Sequence, residues 1–103
     1  WLAHAAEVSG ELRIDAGAAR ALTVGKKSLL LPGLIGVDGD FESGAVVRVV
    51  GPERTLARGI CRYAAAELRE VLAARAAGAP APDHVAPVVH RDDLVELPRT
   101  AGV

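Results

Sequence analysis

Residues 37–50 constrain the fold of this chain more than any other segment. They read as the end of an apolar strand, a turn that contains Asp38-Gly39-Asp40, and a strand over residues 45–50 in which apolar positions alternate. Gly51-Pro52-Glu53-Arg54 is a strong turn sequence, and residues 55–62 return as the partner strand. The sequence therefore predicts a β-hairpin at the centre of the chain.

Shorter elements are predicted before this hairpin. Residues 8–14 are expected to be extended, and Asp15 is placed to cap a short helix that stops before Gly25. The apolar run over residues 29–37 predicts a buried strand that bends at Pro32-Gly33. The first half of the chain is therefore predicted to contain strand, helix and strand in that order.

A longer helix and one more strand are predicted after the hairpin. Residues 64–77 form the helix, with Leu68, Val71 and Leu72 as its apolar stripe. Gly78 and two prolines end it, and residues 85–97 are predicted to form a last strand. We expect residues 98–103 to be a disordered tail.

The arrangement of these elements predicts the fold class. Several short strands with two helices, and no regular alternation of strand and helix, argue against a doubly wound parallel sheet. We predict a mainly β fold of the α+β class, a pseudo-barrel of short mixed or antiparallel strands with a short first helix and a longer second helix. A chain of 103 residues is one domain, assigned to residues 1–97. Since aromatic residues make up only 3% of the chain, its core must be built from Val, Leu, Ile and Ala.

Charge and cysteine content limit the possible functions. Twelve Lys and Arg residues stand against 13 Asp and Glu, whereas a dedicated nucleic-acid binder usually carries a basic excess. Any RNA site must therefore be a local patch. The single Cys61 excludes an internal disulfide, suits a reducing cytosol, and is predicted to be a buried structural thiol. No apolar run approaches the roughly 20 residues that span a bilayer, and no signal peptide is recognised, so we expect a cytoplasmic protein without membrane contact.

Three motifs resemble known sites without completing them. Gly25-Lys26-Lys27-Ser28 lacks the earlier glycine of a phosphate-binding loop, because position 20 is Arg20. The acids at positions 38, 40 and 42 lack the glycine and the final glutamate of a calcium loop. His90-Arg91-Asp92 lacks the asparagine that completes the catalytic loop of a protein kinase. We therefore predict no catalytic, cofactor-binding or metal-binding residue in this chain.

Several separated segments nevertheless form a familiar pattern. They are Gly10-Glu11-Leu12, Ile14 to Ala18, Lys27 to Leu30, Val37 to Gly44, Arg48 to Val50, Ala57-Arg58-Gly59, Tyr63 with Glu67-Leu68, and Val89 to Asp92. Over roughly residues 1–97, the pattern resembles the PUA domain at the C-terminus of bacterial glutamate 5-kinases. The chain departs from that family at Ala64 and Ala65, where serines usually precede the second helix, and at Ala45, where an aspartate is usual.

The resemblance implies a PUA-like pseudo-barrel attached to an enzyme of proline biosynthesis. That enzyme transfers the γ-phosphate of ATP to the side-chain carboxylate of glutamate, using ATP and Mg in an N-terminal amino-acid-kinase domain. The chain itself is then non-catalytic and needs no cofactor. Its start without Met fits a piece cut from such a protein, and the resemblance implies that the parent protein is a homo-oligomer.

Two roles are compatible with this resemblance. The first is regulation or assembly of the attached kinase. The alternative is RNA binding, as in PUA domains of RNA-modification enzymes, through a local basic patch formed by Arg20, Lys26, Lys27 and Ser28, with Arg91 from the last strand. Acids near Arg91 oppose this patch, and it lacks an aromatic platform for stacking bases. The sequence therefore favours the regulatory role.

Overall fold

A five-stranded mixed sheet with two helices is formed by residues 8–79 and 87–96, the part of the chain that the computed structural model describes. The elements are β1 (Gly10–Ile14), α1 (Ala16–Thr23), β2 (Leu34–Gly39), β3 (Val46–Val50), β4 (Thr55–Ile60), α2 (Ala65–Ala76) and β5 (Leu94–Glu96). The strand order is β2-β1-β3-β4-β5, and only the β1–β3 pair is parallel. The predicted hairpin is β3–β4, and the predicted fold class is confirmed.

The chain segments before the two edge strands pair with each other. The Leu29 N–H donates to the Val89 carbonyl at 2.9 Å, and the Val88 N–H donates to the Leu29 carbonyl at 2.8 Å. Each segment continues through a short 3-10 helix, Leu31–Gly33 or Arg91–Asp93, into its edge strand. This pairing connects the two ends of the open sheet and accounts for its barrel-like character.

The core lies on one face of the sheet and is almost entirely aliphatic. Leu12 of β1 and Val47 and Val49 of β3 are fully buried, whereas Glu11 and Arg48 lie on the opposite, outer face. This alternation follows from the two-residue period of a strand. Phe41 is the aromatic residue that the described part of the chain contributes to the core cluster.

Helix α1 begins as the sequence predicts. The Asp15 carboxylate accepts the Ala18 N–H at 2.7 Å, which satisfies one of the free donors of the first turn. The Asp15 N–H in turn donates to the Gly33 carbonyl at 3.0 Å. A Cβ atom on Gly33 would lie 2.4 Å from the Ala18 Cβ, so only glycine allows α1 to pack this closely on the bend before β2.

Helix α2 begins without a hydroxyl cap, because its N-cap residue is Ala64. Instead, the Glu67 side chain accepts the Ala64 N–H at 2.9 Å, and the Phe41 carbonyl accepts the Ala65 N–H at 2.9 Å. The predicted apolar stripe is confirmed, because Leu68 is buried and Val71 and Leu72 pack against the core.

The predicted last strand is wrong over part of its length. Within the described part of the predicted strand, residues 87–96, only Leu94–Glu96 is a strand, whereas Arg91–Asp93 is a 3-10 helix. The His90 side chain accepts the Asp92 N–H at 3.1 Å and its carbonyl accepts the Asp93 N–H at 2.8 Å, which curls the chain. Arg91 therefore lies on a turn and not on a strand. Residues 85–86 and 97, and the predicted tail at 98–103, lie outside the described residues.

Cys61 is buried, as predicted, and its thiol donates to the Tyr63 carbonyl at 3.2 Å. Burial raises the pKa of the Cys61 thiol above its ordinary value, and the charge of Glu67 adds to the rise, whereas the backbone of Tyr63 lowers the pKa by favouring the thiolate. The folded thiol thus keeps its proton to a higher pH than the unfolded thiol.

This difference predicts that the stability of the chain depends on pH in the alkaline range. We expect the free energy of unfolding, measured by urea unfolding, to fall as the pH rises above about 9. We expect the Cys61→Ala variant to lose the part of this pH dependence that comes from the thiol. An identical alkaline slope in both proteins would contradict this prediction.

Candidate nucleic-acid and partner interface

Lys26, Lys27 and Arg91, all predicted to bind, meet at one pocket. The cavity of about 90 Å³ lies between the end of α1 and the turn before β5. Buried Leu22 and Leu56 contribute to its apolar floor. A ligand in this pocket would therefore meet three cationic side chains above an aliphatic surface.

The turn after α1 places the two lysines at this pocket. The Lys27 N–H donates to the Ala21 carbonyl at 3.1 Å, which holds the turn against the helix end. Lys26 has a φ of 53°, in the left-handed region that residues other than glycine rarely adopt. Such a conformation costs of order 1–3 kcal/mol and persists only where the surrounding structure imposes it.

Ser28, also predicted to bind, contacts the backbone of Arg91. Its hydroxyl oxygen accepts the Arg91 N–H at 2.8 Å and so ties the turn before β5 to the loop after α1. The Leu29–Val89 pairing continues the same connection. Ser28 is therefore a positioning residue for Arg91, at a distance of 63 residues in sequence.

Arg20 lies apart from the other predicted residues. It lines a larger groove of about 510 Å³ between α1 and the turn that joins β3 to β4, where Glu53 and Arg54 also lie. Thr23 lines both the groove and the pocket, so the two concavities are neighbours. The sequence predicted the turn containing Arg54 but not its packing beside α1, because that contact is not local.

Asp92 and Asp93, which follow Arg91, contact other side chains. Asp93 pairs with Arg62 at 3.1 Å, and the Asp92 carboxylate lies 3.5 Å from the His90 side chain. Neither acid is among the residues that line the pocket. These two acids are therefore not part of the pocket lining.

Other kinds of site find no support in the described ranges. Within residues 8–79 and 87–96, no three His, Cys, Asp or Glu side chains come together as a metal site would require. Neither helix in that part of the chain has the length and apolar character needed to cross a bilayer. The basic pocket and the adjoining groove are therefore the strongest candidate for the functional site.

Comparison with known families finds a match along most of the described chain. Residues 10–78 match the PUA domain family. Glutamate 5-kinase from Rhodococcus opacus is 45% identical over 98 residues, which cover 94% of this chain and 26% of the relative. Glutamate 5-kinase from Moorella thermoacetica is 41% identical, again over 94% of the chain and 27% of the relative. The chain thus spans about a quarter of the length of the curated relatives it matches.

Solved structures show the same fold. A PUA domain from Aeropyrum pernix, determined as a tartrate complex, aligns with a TM-score of 0.63 and 29% identity over 81% of this chain and 43% of its own. The archaeal box H/ACA sRNP Nop10–Cbf5 complex contains a chain that aligns with a TM-score of 0.55 and 21% identity, over 88% of this chain and 28% of its own.

Proposed function

This chain belongs to the PUA domain family, and on that premise we propose that it is the regulatory or assembly domain of a glutamate 5-kinase in proline biosynthesis. The observation that carries the proposal is the 45% identity to a glutamate 5-kinase over 94% of this chain. Because that alignment covers 26% of the relative, the proposal assigns phosphoryl transfer to an attached amino-acid-kinase domain.

The attached domain would use ATP and Mg, whereas this chain would contribute no cofactor ligand. The chemistry of the described residues is consistent with this division of labour. Cys61 is buried with a raised pKa, so its thiolate nucleophile is disfavoured. The basic pocket has an apolar floor, and none of the described residues that line it is an acid that would serve as a general base. We further propose that the whole enzyme is a cytoplasmic homo-oligomer.

Removing the domain from the longer enzyme tests this function. We expect the truncated enzyme to phosphorylate glutamate and to differ from the intact enzyme in proline inhibition, metal dependence or oligomeric state. Inhibition curves, magnesium titrations and light scattering measure these properties. If all three are the same in both enzymes, the regulatory proposal is wrong.

RNA binding is the second candidate, and the basic pocket is the observation that favours it. Lys26, Lys27 and Arg91 converge there, and Asp93 near Arg91 pairs with Arg62. The fold is also that of a chain in the box H/ACA sRNP complex. The net charge of −1 and the aliphatic floor weigh against strong RNA binding. The three cationic side chains would contact about three phosphates, which gives a weak and salt-sensitive complex.

Charge reversal in the pocket tests the RNA candidate. If RNA binds there, we expect the double variant Lys26→Glu with Lys27→Glu to lose affinity for a labelled structured RNA, measured by fluorescence anisotropy at roughly 50 and 200 mM salt. Arg13→Glu, which reverses an exposed charge on the outer face of the sheet, is the control and should keep its affinity. Equal binding by the double variant and the wild type would exclude this pocket as the RNA site.

A further inference from the structure

The 3-10 helix before β5 has an acceptor for the backbone N–H of each of its residues. The Ser28 hydroxyl accepts the first N–H, from Arg91, at 2.8 Å. The His90 side chain accepts the second, from Asp92, at 3.1 Å, and the His90 carbonyl accepts the third, from Asp93, at 2.8 Å. A hydroxyl and a carbonyl accept at any pH, whereas an imidazole nitrogen accepts only while it carries no proton. The bond to the Asp92 N–H therefore depends on the protonation of His90.

The Nδ1 atom of His90 lies close to two different groups of Asp92. It is 3.1 Å from the backbone nitrogen and 3.5 Å from the carboxylate Oδ2. Neutral Nδ1 accepts the backbone N–H, but a proton on Nδ1 turns it into a donor, which the carboxylate then accepts. The two bonds exclude each other. Because the Asp92 side chain is 79% exposed, it has room to rotate onto the ring when the exchange occurs.

Asp92 carries the carboxylate that is available to His90. Asp93, the next acid, is held at 3.1 Å by Arg62. The other described charged groups on the elements packed around this turn are cations: Arg91 on the turn itself, Arg62 after β4, Arg58 in β4, and Lys26 and Lys27 in the loop after α1. Lysine and arginine side chains do not titrate between about pH 5 and 8, in which histidine changes its charge.

We propose that His90 is a proton-dependent switch that makes the basic pocket a stronger anion site at low pH. Arg91 lines the pocket, and Asp92 follows it in sequence. While His90 is neutral, the charge of Asp92 opposes that of Arg91. Once His90 is protonated, its imidazolium offsets the Asp92 charge, and the turn carries one more positive charge. The Ser28 hydroxyl and the His90 carbonyl accept their N–H groups in both states, so Arg91 stays at the pocket.

The Asp92 amide reports the exchange of partners directly. We expect its protection against hydrogen exchange, measured by NMR and corrected for the intrinsic rate, to be lower at about pH 5.5 than at about pH 7.5. The combined variant His4→Asn with His84→Asn provides the background, in which His90 is the remaining histidine. His90→Asn in that background is the matched variant, because an asparagine oxygen accepts an N–H at a cap and does not titrate. It should protect the Asp92 amide equally at both pH values.

Sulfate tests the consequence at the pocket, because its charge is the same at both pH values. We expect the background protein to bind sulfate about two- to five-fold more tightly at the lower pH, the effect of one added charge near an exposed site. The amide shifts of Lys27 and Arg91 measure this affinity. His90→Asn should lose the difference. Asp92→Asn removes the opposing acid and should bind sulfate more tightly than the background protein at the higher pH.

Three results would overturn the inference. An Asp92 amide that is equally protected at both pH values in the background protein would exclude the exchange of partners. A rise in sulfate affinity that is the same in His90→Asn, or no sulfate binding at either pH, would exclude the switch at the pocket. All of these measurements use this chain alone. The proposed regulatory role is tested separately by removing the domain from the longer enzyme, so the failure of one leaves the other standing.

Discussion

Gly59→Ala is expected to destabilise the chain by about 1–3 kcal/mol, and Gly59→Val by more, because both overfill a closely packed part of the core. A Cβ atom at this position of β4 would lie 2.7 Å from the Val89 Cγ1, 3.0 Å from the Asp93 carbonyl oxygen and 3.1 Å from the Leu94 Cδ2. One of these contacts is backbone and cannot rotate away. The substitution therefore pushes β5 and the segment before it off β4.

Urea unfolding followed by circular dichroism measures this effect, and Gly17→Ala is its matched control. A Cβ atom on Gly17 would meet only the Asp15 Oδ1 atom, at an ordinary 3.5 Å. Since alanine is favoured over glycine in helices by up to about 1 kcal/mol, the control should be neutral or stabilising. Equal unfolding free energies for the two alanine variants would contradict the packing at Gly59.

The same displacement has a consequence at the candidate site. Arg91 belongs to the segment that Gly59 allows to approach, and the Ser28 hydroxyl holds it through its N–H. The geometry of the basic pocket therefore depends on close packing between β4 and the chain before β5. Any ligand of the pocket should bind more weakly to Gly59→Ala than to Gly17→Ala, even at temperatures where both variants are folded.

Features encoded by neighbouring residues could be predicted from the sequence. The Asp15 cap, the hairpin around residues 51–54 and the stripe at Leu68 each follow from local turn chemistry or helical spacing. The burial of Cys61 follows from its apolar surroundings. The resemblance to the PUA domain of glutamate 5-kinases predicted how these local elements assemble into one fold.

Features that depend on contacts between distant segments could not be predicted. The parallel pairing of β1 with β3 joins strands separated by α1 and β2, and no local period reports it. The 3-10 helix at Arg91–Asp93 interrupts a segment that the sequence analysis predicted to be one strand. The role of Ser28 depends on Arg91, which lies 63 residues away in sequence. The position of Arg54 in the groove beside α1 was not predicted either, because that contact also joins distant segments.

The attachment of α2 depends on few apolar side chains. Ala65 and Leu68 are its buried residues. Polar contacts supplement them: Arg75 donates to the Leu31 carbonyl at 3.3 Å and also to that of Leu34, while Arg69 reaches the Asp40 carboxylate at 3.4 Å. These arginines contact the end of β2 and the bend before it. Since β2 is an edge strand of the sheet, the arginines cover this edge, which makes it less available for pairing with another chain.

Because apolar attachment is so limited, Leu68→Ala is expected to cost about 2–5 kcal/mol, the range for truncating a fully buried leucine. Total stabilities of domains are about 5–15 kcal/mol, so this one change removes a large part of the margin. Leu72→Ala is the control, since Leu72 is only partly buried against the same core and should cost less. Urea unfolding of both variants measures the difference. If Leu72→Ala were as costly as Leu68→Ala, the surface of α2 that faces the core would be wrongly assigned, and the arginine contacts to β2, which depend on the same rotation of the helix, would be wrong with it.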